Sequence, residues 1–72
     1  MLVITGPQRT PDERGDLIEM SAFLGAALMT DRPTFADVTG LLRMAGWDCC
    51  AQALADVGMA SAFGWPIKDL PA

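Results

Sequence analysis

The chain has 72 residues, enough for one small domain and little more. Hydrophobic residues make up 51% of it, too many for a disordered tail. Nine acidic against five basic residues leave a net charge of −4, the wrong sign for gripping nucleic acid phosphates.

Residues 1–9 begin with Leu2, Val3 and Ile4, residues that favour extended backbone. No second strand signal accompanies them, so an extended N-terminal arm is expected. It either straps the helices or pairs with another copy or a partner's sheet edge. The segment has neither a basic leader nor an apolar run long enough for a secretory signal. The expected location is the cytoplasm.

Residues 10–30 carry the strongest helix signal. Thr10 is an N-cap candidate, Pro11 suits the first helical position, and Glu13 can reach back to the N–H of the cap. Asp12, Glu13 and Asp16 put negative charge at the positive end of the helix dipole. At helical spacing Leu17, Met20, Leu24, Ala27 and Leu28 form an apolar stripe. A polar stripe through Asp12, Asp16 and Glu19 runs on into Phe23 and Ala26, so the second half of the helix is apolar all round. At about 20 residues for a bilayer crossing, its apolar run is too short, so protein should surround it. Ser21, Ala22, Gly25 and Ala26 form a row of small residues that permits close approach of another backbone. Arg14, Gly15 and Asp16 resemble the integrin-recognition tripeptide, but over three residues only, in a segment expected to be helical.

Residues 34–57 predict a second and a third helix with a break near Gly46. Thr34 is the next N-cap candidate. Phe35, Val38, Leu41, Leu42 and Ala45 make one apolar face, with Asp37, Gly40 and Arg43 opposite. Gly46 can end that helix in a left-handed conformation, and Trp47 should fill the corner. Asp48 can cap the third helix, residues 49–57, closed by Gly58. This register turns Cys50 inward and Cys49 towards solvent. Two adjacent cysteines close no long loop, so no stabilising disulfide is expected. Residues 59–72 read as a short turn and a tail, WPIKDLPA, packed back on the helices or presenting Trp65 as an anchor.

The expected fold is therefore all-α, a small bundle of three to four short helices with an extended N-terminal segment and a C-terminal tail packed back. There is no histidine, Lys68 is the only lysine, and no glycine-rich phosphate loop is present. No catalytic residue, cofactor or metal site is expected. A third helix without Arg or Lys also argues against a DNA-reading helix-turn-helix. The expected function is a non-enzymatic protein–protein interaction module, self-associating through the first helix. Ala22, Phe23, Gly25, Ala26, Met29 and Trp65 are the candidate partner-binding residues, because this short chain carries more apolar surface than it can cover. The alternative is a small acidic inhibitor or adaptor that docks on a larger enzyme. In size and charge the chain resembles phage- and mobile-element-encoded anti-defence factors. A thiol redox role for Cys49 stands third. Neither direct nucleic-acid binding nor a membrane partner is expected.

Overall fold

Val3 and Ile4 are fully buried, and this decides the architecture. The computed structural model describes residues 1–31 and 33–70. In it β1 (Leu2–Thr5) is an inner strand of a four-stranded parallel sheet. β1 pairs with β2 (Ala27–Leu28) on one side and β3 (Gly40–Arg43) on the other, and β4 (Ile67–Asp69) pairs with β3. The order is β2-β1-β3-β4. Val3 lies opposite both Ala27 and Leu41, and Thr5 opposite Arg43.

Parallel neighbours need crossover connections. The helix α1 (Pro11–Leu24) joins β1 to β2. Two 3-10 turns, Met29–Asp31 and Phe35–Asp37, lead from β2 to β3. A third turn, Trp47–Cys49, and the helix α2 (Ala51–Ala62) lead to β4. Side chains alternate across the sheet, so each face has its own core. Ile4 and Leu42 pack with Leu17 and Met20 of α1. Val3 and Leu41 pack with Ala60 and Val57 of α2 and with Met29 and Val38 of the crossover. The helices thus cover opposite faces of the sheet, an α/β arrangement.

The expected all-α bundle is overturned, and each departure has a physical cause. The helix expected from Thr34 is a 3-10 turn followed by β3. A parallel strand covered on both faces reads as an unbroken apolar run, which periodicity cannot separate from a buried helix. Leu41 and Leu42, expected side by side on one helix face, point to opposite layers. The first helix stops at Leu24 instead of reaching residue 30. Gly25 takes a left-handed conformation (φ 66°), and the N–H groups of Gly25 and Ala26 both donate to the Ser21 carbonyl. The Ser21 hydroxyl donates to the Ala26 carbonyl at 2.6 Å and closes the cap.

Gly46 is left-handed (φ 87°) as expected, but it follows the strand β3 and ends no helix. The helix that follows is capped by Cys50 instead of Asp48 and runs on through Gly58 to Ala62. The N-terminal arm and the tail are the strands β1 and β4, paired within the chain. The start of α1 holds as expected: the Thr10 hydroxyl accepts from the Glu13 N–H at 3.1 Å, with Pro11 in the first turn. Glu13 reaches one residue beyond the cap, accepting from the Arg9 N–H at 2.9 Å.

Candidate interaction surface

In open α/β sheets ligands usually sit beyond the carboxyl ends of the strands, where the strand order reverses. Here that point lies between β1 and β3, and the chain itself fills it. A Cβ on Gly6 would stand 2.8 Å from the Met44 Cβ, and one on Gly46 would stand 3.0 Å from Pro7 Cγ. The loop after β3 is thereby pressed onto the loop after β1. The Met44 amide continues the ladder by donating to the Thr5 carbonyl.

That closure creates a groove beside it. Met44 and Asp16 are shared by two adjoining hollows. The larger, about 600 Å³, is bordered by Met20, Phe23 and Glu19. The smaller, about 180 Å³, is bordered by Pro7, Ala45 and Glu13. The apolar floor comes from the two loops and from Met20, and Phe23 stands at one end with 84% of its surface exposed. Glu13, Asp16 and Glu19 form the rim. Spaced three residues apart, they occupy one edge of α1 over successive turns. Arg9 pairs with Glu13 at 3.3 Å, and this hydrogen-bonded guanidinium holds the Glu13 carboxyl below its ordinary range. Among the described residues Asp16 and Glu19 have no ionic partner.

The six residues expected to bind a partner do not form one surface. Ala22 and Phe23 border the larger hollow, and Gly25 is exposed in the cap just beyond. Ala26 is buried in the α1-side core, while Met29 is buried in the core on the other face. Trp65 is half-buried on that other face, its ring 5.3 Å from Phe63 and 5.5 Å from Phe35. The row of small residues is broken because the helix ends before Gly25. Sequence reasoning missed Met44, Ala45 and Pro7, which only the tertiary fold brings to α1. It treated Asp16 and Glu19 as a solvated stripe. The continuation of that stripe into Phe23 was the signal that could have found the groove.

Elsewhere, Cys50 is buried and Cys49 exposed. The backbone N–H groups of Ala53 and Gln8 beside the Cys50 thiol lower its pKa. The Arg14-Gly15-Asp16 tripeptide is helical. Among the described residues no cluster of His, Cys, Asp and Glu is suited to a metal ion, and no helix is long and apolar enough to cross a membrane. No family model, no curated protein and no solved structure matches the chain.

Proposed function

We propose that this chain is a non-enzymatic protein–protein interaction module that docks onto a basic, amphipathic segment of a larger protein through the groove along α1. The observation that carries the proposal is the pairing of an apolar floor and an exposed Phe23 with two carboxylates, Asp16 and Glu19, that have no ionic partner among the described residues. An apolar anchor on the partner fills the hollow against Met20 and Met44. Lys or Arg residues one helical turn apart meet the rim. The desolvated aromatic supplies affinity, while the charges supply orientation and on-rate.

A second copy would bring the same carboxylates to the same rim, and like charges across an interface oppose association. The groove therefore favours a foreign basic partner over self-association, in line with an inhibitor or adaptor role. We place the protein in the cytoplasm, where its free thiols stay reduced.

The test is binding of a labelled helical Lys/Leu peptide, read by fluorescence anisotropy. A peptide of equal charge with its leucines scattered around the helix serves as control. Tighter binding of the amphipathic peptide is expected, weakened roughly ten-fold by Phe23→Ala, by Asp16→Lys with Glu19→Lys, or by raising the salt. Equal binding of both peptides, or affinity indifferent to these substitutions, would refute the proposal. A dimer of the chain alone, detected by sedimentation and abolished by Phe23→Ala, would assign the groove to self-association.

A further inference from the structure

The opposite face of the sheet carries a second hollow, independent of the groove on α1. It is an open hollow of about 520 Å³ between α2 and the crossover from β2 to β3. Met29, Pro33, Phe35 and Met59 supply apolar walls, and Gln52 and Asp56 supply polar ones. That volume and that mixture, mostly apolar with a few convergent polar groups, belong to sites for small organic molecules.

Asp56 is the unusual member, a carboxylate only 4% exposed in the core of a very small protein. The Thr5 hydroxyl donates to its Oδ2 at 2.7 Å, and the Gln52 amide donates to its Oδ1 at 3.0 Å. Both donors are neutral groups. Among the described residues no Lys or Arg forms an ion pair with it. A carboxylate offers about four acceptor positions, and about half remain after those two bonds. A buried charge is costly unless it is paired. Thr5, at the end of β1, and Gln52, one turn before Asp56 on α2, fix the group at the wall of the hollow. The Asp56 carboxylate therefore lies beside apolar walls that include Phe35.

We propose that this hollow binds a small organic cation, a primary or secondary amine on an apolar or aromatic body, with Asp56 as its counter-ion. The ammonium N–H groups donate to the free acceptor positions of Asp56, and the body packs against Met29, Pro33 and Met59. Phe35 adds the attraction of an aromatic ring for a nearby cation. Thr5 and Gln52 are positioning residues that hold the carboxylate in place.

The experiment is an NMR titration of the full chain with phenethylamine, alongside the uncharged 2-phenylethanol and the anionic 3-phenylpropionate. Saturable shifts are expected for the amine alone, centred on the amides of Thr30, Gln52, Asp56 and Met59. Asp56→Asn should weaken binding about ten-fold or more, since it removes a charge-assisted hydrogen bond. Met59→Trp, which fills the hollow from an exposed position and leaves Asp56 itself unaltered, should also abolish the shifts and keeps the test decisive if Asp56→Asn does not fold. No saturable shift with the amine, equal shifts with the alcohol, or unchanged binding in a folded Asp56→Asn or Met59→Trp variant would each overturn the proposal. Because the peptide experiment on α1 reads a different face, either result can fail without the other.

Discussion

Gly25 shows how one residue redirects the chain. Its φ of 66° suits glycine, and no atom lies within 4 Å of where its Cβ would be. The cost of a side chain there is conformational instead of steric. Gly25→Ala should lower stability by about 1 kcal/mol, and Gly25→Leu by a similar amount, measured by urea denaturation. A Leu variant much worse than the Ala variant would mean that packing, not backbone geometry, sets the requirement. Gly58 sits inside α2 with equally open surroundings and no left-handed backbone. Nothing in the residue itself separates these two glycines. What differs is downstream: Ala27 and Leu28 pair with Val3 and Ile4, and that pairing draws the chain out of the helix at Gly25. Cys50 is inward and Cys49 outward as expected, but not by helical register: Cys49 ends a 3-10 turn and Cys50 is the extended residue before α2.

At the scale of elements, the outer strand β4 is tied to β3 by a two-pronged contact from Arg43 to Asp69, at 2.7 and 2.9 Å. This guanidinium holds the Asp69 carboxyl below its ordinary 3.8, as Arg9 holds Glu13 below 4.5. Both folded pKa values are depressed, so the unfolded chain takes up protons first on acidification. The contribution of these pairs is complete above the unfolded values and is lost as pH falls through the folded ones. The urea midpoint should therefore fall below about pH 4.5, less steeply in Asp69→Asn and Glu13→Gln, and high salt should shrink the difference. A difference that persists unchanged at pH 2 would remove these ion pairs from the account. The start of α1 was legible because its cap is built from residues within four positions of one another. β3 was not legible: Gly40-Leu41-Leu42 carries no alternation when both faces are covered.

Across the whole molecule, stability and docking draw on different apolar groups. Leu41 is 1% exposed at the centre of the α2-side core. A chain this long has roughly 4–11 kcal/mol of stability at the usual value per residue. Leu41→Ala should remove about 2–5 kcal/mol of it and leave a marginal fold by calorimetry. Phe23→Ala, on exposed surface, should shift stability by about 0.5 kcal/mol or less while weakening peptide binding. A Phe23→Ala variant as unstable as Leu41→Ala would show that Phe23 serves the fold rather than a partner.

By itself the sequence determined the start of the first helix at Thr10 and Pro11, the left-handed backbone at Gly46, the extended character of residues 2–5, and an acidic stripe leading into Phe23. These are local properties, written in hydrogen bonds and side-chain neighbours a few positions apart. Only the tertiary structure decided that Val3 pairs with Ala27 and Leu41, that Leu41 pairs with Ile67, and that Met44 closes on Gly6 to leave a groove beside α1. Parallel strands join residues separated by whole crossovers, so their hydrogen bonds leave no mark on the local pattern of any one segment.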